Sequence, residues 1–256
     1  MRFSLIKWYI DVVTGDGRVA IAYWTAVRAG RMRHGVCGLL RSDGANASRV
    51  FTVRGAGEPR LDGDRLVWSA PPLALEVELL RLAPAISHRL LDSPDGAVDW
   101  QACAPAAHVR LAVAGEVLEG AGYAERLEVT IAPWALPLRT LHWGRWVADA
   151  RSLVWIVWEG PHPLALAWLD GVLVADPRVL DDGLSLGDAG RLVLADRTVI
   201  TDATVGEQLA VLAPLRRLVE RVSGSHQTRW RSRGTFTAPG TAALTGWTVH
   251  EVVRWR

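Results

Sequence analysis

Residues 122–129 read GYAERLEV, and residues 246–253 read GWTVHEVV. Polar and apolar residues alternate in both segments, and successive side chains of a β-strand point to opposite faces. In the first segment Glu125 shares a face with Tyr123, and in the second Glu251 shares a face with the tryptophan of that segment. Both segments are therefore predicted to be strands that hold a carboxylate among apolar side chains.

The two segments belong to a longer internal repeat, whose matching residues occur in the same order in both halves of the chain. The echoed elements are Trp8 and Trp143, Arg-Leu-Val at 65–67 and 191–193, Leu-Ala-Pro at 82–84 and 212–214, Trp100 and Trp230, and Gly122-Tyr123 and Gly246-Trp247. Their offsets are 135, 126, 130, 130 and 124 positions, which indicates two copies of one fold unit rather than a solenoid of much shorter units. We therefore predict an N-terminal domain at residues 1–135 and a C-terminal domain at residues 136–256.

Composition and charge restrict the class of protein. The 256 residues are 50% hydrophobic and 22% charged, with a net charge of +2, which is typical of a globular chain and gives no reason to expect nucleic-acid binding. Asp11 interrupts the apolar start, and no apolar run approaches the roughly 20 residues of a membrane helix. We predict a cytoplasmic protein without stable membrane insertion, and leave open both peripheral membrane contact and the oligomeric state.

The sequence shows no pattern for a metal or a cofactor. The 2 cysteines and 7 histidines have no metal-ligand spacing, and no glycine-rich loop at a strand-to-helix turn suits a phosphate group. We therefore expect neither a metal nor a cofactor, and we expect both cysteines to be reduced.

Short segments with a period of two dominate both halves, and clusters of glycine and aspartate separate them. Such segments predict an all-β fold, with a sandwich or barrel in each half. One short helix per half is expected after the Leu-Ala-Pro signature, where Pro84 and Pro214 suit a first helical turn. In residues 153–158 both alternating faces are apolar, so this strand should be buried on both sides.

The choice of aromatic residues is unusual, because 13 tryptophans accompany only 3 phenylalanines and 3 tyrosines. An indole offers a wide apolar face and one donor, and its face also stabilises cations, so tryptophans suit a cavity for an apolar or unsaturated ligand. The candidate ligand-binding residues are Trp8, Trp24, His142, Trp143, Trp155, Trp158 and Trp247. The alternative is that the tryptophans fill two barrel cores or the seam between them.

Three acidic side chains fall on predicted apolar faces, namely Glu125, Glu251 and Asp11, which shares its face with Tyr9. Desolvation disfavours the charged form, so a carboxyl group in such surroundings has a raised pKa and suits general-acid catalysis. We interpret Glu125 as the candidate proton donor, with Tyr123, Glu251 and Asp11 as further candidate catalytic residues. The alternative is a structural carboxylate paired with one of the 28 arginines.

Several segments around Glu125 and at both ends of the chain resemble those of a known family, the tandem lipocalin-like proteins. The segments are GAGYAER at 120–126, Pro-Trp at 133–134, LHWGR at 141–145, KWYID at 7–11 and the closing stretch from Gly246 to Trp255. This family includes carotenoid hydratases, tocopherol cyclases and fungal Diels–Alderases. The resemblance implies two lipocalin-like β-barrels packed together, with an apolar ligand bound between or inside them.

The residues and the resemblance together favour one hypothesis over two alternatives. The protein would bind an isoprenoid or polyene in a tryptophan-lined cavity and, without a cofactor, catalyse its acid-assisted hydration, cyclisation or isomerisation. An alternative is a carrier that binds an apolar ligand without changing it, and its carboxylates should be paired with arginine. A third interpretation is a duplicated scaffold whose cavity has collapsed.

Overall fold

The computed structural model describes residues 3–53, 55–149, 151–209 and 224–255, and its two antiparallel β-sheets follow each other along the chain. The strands of the first sheet are β1 (Phe3–Thr14), β2 (Val19–Ala29), β3 (Met32–Ser42), β4 (Ala47–Thr52), β5 (Arg60–Asp62), β6 (Arg65–Ala70), β7 (Leu75–Arg81), β8 (Ile86–Ser93), β9 (Gly96–Val113) and β10 (Glu116–Val129). The strands of the second sheet are β11 (Thr140–Ala148), β12 (Arg151–Glu159), β13 (Leu164–Leu169), β14 (Val172–Val174), β15 (Arg178–Leu180), β16 (Gly183–Ser185), β17 (Arg191–Thr204), β18 (His226–Thr237) and β19 (Leu244–Arg254). The prediction of an all-β fold in two tandem halves is confirmed.

Both sheets have the same strand order. The first runs β4-β3-β2-β1-β10-β9-β7-β6-β5, with β8 paired to the other end of β9, and the second runs β14-β13-β12-β11-β19-β18-β17-β16-β15. In each sheet the first strand of the half pairs with the last, so the ends of each half meet in the middle of its sheet. This shared order agrees with the duplication that the sequence echoes indicate.

The pairing register shows which residues of the two halves correspond. Tyr9 lies opposite Glu125, and Trp143 lies opposite Glu251. The structure thus aligns Trp143 with Tyr9. The match between Trp8 and Trp143 that the sequence suggested is therefore off by one residue. Because a shift of one residue moves a side chain to the other face of a strand, the two tryptophans lie in different cores.

Each sheet encloses an apolar core of its own, and a third core lies between the sheets. Trp8 and Ile10 point into the core of the first sheet, whereas Tyr9 points into the core between the sheets. The second sheet lies over the first through β11 and β12, which pack against β9 and β10. We call the packed region between the two sheets the seam, and its largest side chains are tyrosines and tryptophans.

The prediction that residues 153–158 are buried on both sides is confirmed. On β12, Leu153 and Trp155 face the core of the second sheet. Val154 and Ile156 face the seam. A strand that is covered on both faces needs apolar residues at every position, which explains why alternation is weak in this segment.

The prediction of a helix after Pro84 is wrong, because this segment leads into strand β8. Pairing of β8 with β9 supplies the backbone hydrogen bonds that a helix would otherwise have made internally. The helix predicted after Pro214 lies outside the described residues, and the described helix α1 (Val205–Leu209) ends before it. Among the described residues, no helix is long and apolar enough to cross a bilayer.

Packing in the core of the second sheet can be tested at Gly144, where a Cβ atom would overlap the indole ring of Trp155. We expect Gly144→Ala to lower the free energy of unfolding by about 1–3 kcal/mol, because overpacking a filled core forces side chains or backbone to shift. Urea unfolding followed by tryptophan fluorescence measures the change. The matched control is Gly35→Ala on β3, where a Cβ meets no heavy atom within 4 Å and no loss is expected. Equal losses in the two variants would contradict the packing described for this core.

Candidate functional site

A cavity of about 260 Å³ lies in the seam, and residues of both sheets line it. Most of its wall consists of leucine, valine, isoleucine and tryptophan side chains. The charged groups in the wall are Lys7, Glu125 and Glu251. The two glutamates occupy corresponding positions of the two halves, so the seam gathers one acidic residue from each copy of the repeat.

Glu125 is held by three donors that carry no charge. Its Oε2 atom accepts hydrogen bonds from Trp100 Nε1 at 2.7 Å, Tyr123 Oη at 2.8 Å and Trp143 Nε1 at 3.2 Å. Only 8% of its surface is exposed. All three bonds converge on one oxygen, and in the described chain the other oxygen, Oε1, receives no such bond.

Burial raises the pKa of Glu125 above the usual value for a glutamate. The positive charge of Lys7 and the hydrogen bonds from Trp100 and Tyr123 oppose this rise, but they do not cancel it. Desolvation therefore dominates, and the neutral, protonated carboxyl group is favoured at a higher pH than in water. The sequence-based expectation of a proton-holding carboxyl group thus has a physical basis in the seam.

Glu251 has the opposite environment although it occupies the corresponding position. Its Oε2 accepts hydrogen bonds from Arg229 Nε at 2.8 Å and from Arg229 Nη2, and another from Gln227 Nε2 at 2.5 Å. Arg229 is 3% exposed and also bonds the hydroxyl of Tyr23. This buried guanidinium gives Glu251 a counter-charge, so Glu251 fits the alternative of a structural carboxylate paired with arginine.

Burial and neighbouring charges shift the pKa values of Tyr23 and Arg229 in this cluster. Burial raises the pKa of Tyr23 to about 12, although the guanidinium of Arg229 acts in the opposite direction. For Arg229 itself burial acts to lower the pKa, but the charge of Glu251 and the adjacent tyrosines together raise it. Arg229 therefore stays protonated and Tyr23 stays neutral over the ordinary range of pH.

Asp11 takes part in an ion pair that connects the two sheets. Arg145 Nε donates to Asp11 Oδ2 at 3.1 Å, and Arg145 Nη2 donates to Oδ1. Both side chains are 0% exposed. The remaining donors and acceptors are also used, because Tyr9 donates its hydroxyl to Asp11 Oδ2 at 2.9 Å and Arg145 Nη1 donates to the carbonyl oxygen of Trp247 at 3.0 Å. Asp11 thus holds the seam together and does not line the cavity.

Aromatic side chains surround the carboxyl group of Glu125. The rings of Tyr9, Tyr123 and Trp143 meet edge to face, with centroids 5.2–6.1 Å apart. This spacing is the range in which aromatic pairs attract each other. Tyr123 is 0% exposed and contributes its hydroxyl to Glu125, so it positions the carboxyl group instead of lining the cavity.

Of the predicted ligand-binding residues, the structure places Trp143 and Trp158 in the cavity wall. Trp8 and Trp24 lie against the core of the first sheet, where their indole N–H groups bond Glu58 Oε1 at 2.8 Å and the carbonyl oxygen of Ala56 at 3.0 Å. Trp155 belongs to the core of the second sheet. These three tryptophans match the alternative interpretation of the sequence, in which tryptophans fill the barrel cores.

The two remaining candidates, Trp247 and His142, are not in the cavity wall. Trp247 packs at the edge of the seam, with the guanidinium carbon of Arg233 3.8 Å from its ring centroid. His142 lies 3.8 Å from a carboxylate oxygen of Glu159, and partial burial lowers its pKa. Neither residue touches the carboxyl group of Glu125 through a described hydrogen bond.

Sequence reasoning missed four residues that define the site, namely Lys7, Trp100, Gln227 and Arg229. The period of two places Lys7 on the same face as Tyr9, so alternation could have found it. Trp100 was visible only as an echoed position. No local pattern identifies Gln227 and Arg229, because their importance depends on which carboxylate they meet across β18 and β19. In the described chain no three His, Cys, Asp or Glu side chains form a group that could hold a metal ion.

Solved structures share this architecture at low sequence identity. An AttH-like protein from Nitrosomonas europaea has a TM-score of 0.56 and 12% identity, and the match covers 98% of this chain and 92% of that chain. Kievitone hydratase from Nectria haematococca has a TM-score of 0.59 and 9% identity, with coverage of 98% and 88%. CghA has a TM-score of 0.55 and 13% identity with the same coverage, and its structure with Sch210972 gives 0.54 and 14%.

The chain has the fold of these proteins. The resemblance inferred from the sequence motifs is therefore confirmed at the level of the fold. The sequence itself matches no protein-family profile and no curated protein. What the site does must accordingly be argued from its own residues, because one fold supports many chemistries.

The ion pair across the seam gives a direct stability test. We expect Arg145→Met to lower the free energy of unfolding by about 3–5 kcal/mol, because it leaves Asp11 as a buried charge without its partner. The double variant Asp11→Leu with Arg145→Met should recover much of this loss, since it removes both charges. Denaturant unfolding measures both effects.

The control for this test is Arg151→Met on β12. Arg151 forms a solvent-exposed pair with Asp170, and exposed pairs contribute about 0–1 kcal/mol. If Arg145→Met were no more destabilising than Arg151→Met, the ion pair would not be the buried connection between the sheets that we describe.

Proposed function

We propose that the cavity in the seam binds a short isoprenoid or polyene and that Glu125 protonates one of its carbon–carbon double bonds. The proposal is an acid-assisted hydration, cyclisation or isomerisation. The observation that carries it is the state of Glu125, which borders an apolar cavity, has neutral donors only and has a raised pKa. Acids with these properties are suited to give up a proton near neutral pH.

The proposed step balances as follows. The π-electron pair of the double bond forms a new C–H bond with the proton of Glu125, which leaves a carboxylate on the protein and a cation on the adjacent carbon. Hydration follows when the oxygen of a water molecule adds to the cation and its extra proton returns to Glu125. Isomerisation follows when a neighbouring C–H bond gives its electron pair to a new double bond and its proton returns to Glu125. Cyclisation follows when the π-electron pair of a second double bond forms a C–C bond to the cationic carbon, which moves the positive charge to another carbon, and a proton lost beside that carbon then returns to Glu125.

The walls of the cavity suit a cationic intermediate. Trp100, Trp143 and Trp158 line it together with Glu125, and an indole face attracts a cation by about 0.5–2 kcal/mol. Few groups in this wall could capture a cation prematurely, because most of the wall is apolar. We assign Glu125 as the proton donor, Tyr123 as the residue that positions it, and Trp143 and Trp158 as ligand contacts.

The size of the cavity favours a small ligand. Its volume of about 260 Å³ lies just below the ~300–1,000 Å³ that is usual for small-molecule sites. A short chain of a few isoprene units is therefore a better fit than a long carotenoid. The shared fold with kievitone hydratase supports hydration as one of the possible outcomes, since that neighbour is named for a hydration reaction.

A carrier is the second candidate function, and a specific observation favours it. A carrier should have its buried carboxylates paired with arginine, and both Glu251 and Asp11 are paired in this way. Glu125 is not, because its described partners are two indoles and a phenol. The unpaired acid is the feature that makes us prefer catalysis over transport.

Turnover in deuterium oxide tests the proposal without knowledge of the product. The protein is incubated with a panel of short polyenes, and mass spectrometry follows a solvent deuteron into carbon. We expect incorporation with the native protein, and a loss of about 10²- to 10⁴-fold with Glu125→Gln, because one positioned general acid typically contributes that factor. Ligand binding should persist, since the amide keeps the shape of the side chain.

The matched control is Glu128→Gln, a change of the same kind on the same strand. Glu128 is 44% exposed and forms an ion pair with Arg126, so its replacement should leave turnover unchanged. In the native protein the rate should fall as pH rises through the raised pKa of Glu125, because the donor must carry its proton. Undiminished turnover by Glu125→Gln would remove Glu125 from the mechanism. Recovery of every polyene intact from a protein that binds it would favour the carrier.

A further inference from the structure

Lys7 is the only lysine of the chain, and it borders the cavity. It lies on β1 two residues before Tyr9, so both side chains point to the seam. Its side chain is half-buried. A positive charge therefore lies in the wall of a site whose other lining is mostly apolar.

Neither glutamate of the cavity wall forms an ion pair with Lys7 in the described chain. Glu251 is neutralised by Arg229. Glu125 accepts its described hydrogen bonds from neutral donors only and forms no described ion pair, although the charge of Lys7 partly opposes the rise of its pKa. Within the described chain every ion pair uses an arginine or a histidine, and Lys7 has none.

Two aromatic rings lie near the ammonium of Lys7. Lys7 Nζ lies 5.6 Å from the ring centroid of Tyr23 and 5.9 Å from that of Tyr9. These distances are at the outer limit of ~6 Å for a cation–π contact, which stabilises a cation only modestly. A partly desolvated charge is costly unless it is paired, and no ion pair within 4 Å is described for Lys7, so an anionic group of a ligand would stabilise it.

We propose that Lys7 binds an anionic oxygen of the ligand, so that the substrate class is a short apolar molecule that carries one carboxylate. This inference rests on the proposed function, because it assigns a chemical group to the ligand of the same cavity. A lysine is a compact point charge without the planar fork that arginine offers to phosphates. One such charge matches a single carboxylate better than a diphosphate, which usually receives several cationic or backbone donors.

A second polar group in the cavity wall also lacks a partner. The indole Nε1 of Trp158 is buried, and in the described chain it has no hydrogen-bond acceptor. A buried donor without an acceptor costs about 1–3 kcal/mol. A ligand with an oxygen acceptor would offset such a cost, whereas a pure hydrocarbon would not.

The position of Lys7 also restricts the length of the ligand. Glu125 lies opposite Tyr9, and Lys7 is two residues from Tyr9 on the same face, which makes Lys7 and Glu125 diagonal neighbours across β1 and β10. Diagonal neighbours are about 7–8 Å apart. A ligand whose carboxylate contacts Lys7 therefore presents to Glu125 a double bond only a few carbons away.

Two probes test this inference, namely geranic acid and its methyl ester, which has the same carbon skeleton but one additional methyl group in place of the charge. Calorimetric titration at neutral pH measures the dissociation constant of each for the native protein, Lys7→Met and Lys7→Arg. We expect the native protein to bind the acid about 10- to 100-fold more tightly than the ester, as one charge-assisted hydrogen bond provides. Lys7→Met should lose this preference while it still binds the ester, and Lys7→Arg should keep most of it.

The control is Arg28→Met, which removes one positive charge from an exposed position on the neighbouring strand β2. It should leave the preference for the acid unchanged, which excludes a general effect of net charge. Equal affinity of the native protein for both probes, or a preference that persists in Lys7→Met, would overturn the role of Lys7 alone. If neither probe binds the native protein, the proposed function itself fails, and this inference fails with it.

Discussion

The ion pair between Asp11 and Arg145 is the interaction on which the rest of the structure depends. The central strands β1 and β11 are covered on both faces where Asp11 and Arg145 lie, so these two charges are cut off from water. Each half supplies one partner, and neither charge would be tolerable alone at that depth. The pair connects β1 with β11 across the seam, and the cavity of the same seam has Glu125 and Glu251 in its wall.

Duplication gave the seam two glutamates at corresponding positions, and their different partners have made them chemically unequal. Beside Glu251 the second half supplies Gln227 and the charged Arg229. Beside Glu125 the first half supplies Trp100 and Tyr123, which donate hydrogen bonds but add no charge. Two carboxyl groups that have different surroundings and different roles are a recurring arrangement in enzymes that transfer protons. The glutamate that is not paired with an arginine is the one that we assign to chemistry.

The sequence allowed the strands and the apolar setting of Glu125 to be predicted, because a period of two reports both directly. It could not show which face of a central strand enters its own core and which enters the seam, since both faces are apolar. Trp8 and Trp155 were therefore grouped with the cavity although they fill the two sheet cores. The strand after Pro84 was missed because its pairing with β9 overrides a local helix signal, and Arg229 was missed because its partner is distant in sequence.

The protonation state of Glu125 tests most directly whether this residue is the proton donor. Infrared difference spectra between the native protein and Glu125→Gln isolate the C=O stretch of this one carboxyl group, and the band is followed over a pH titration. We expect the protonated band to persist above the pH at which ordinary glutamates ionise, because burial raises the pKa of Glu125 by more than the charge of Lys7 and the hydrogen bonds lower it. A band that disappears in the ordinary range of a glutamate would contradict the assignment of Glu125 as the proton donor.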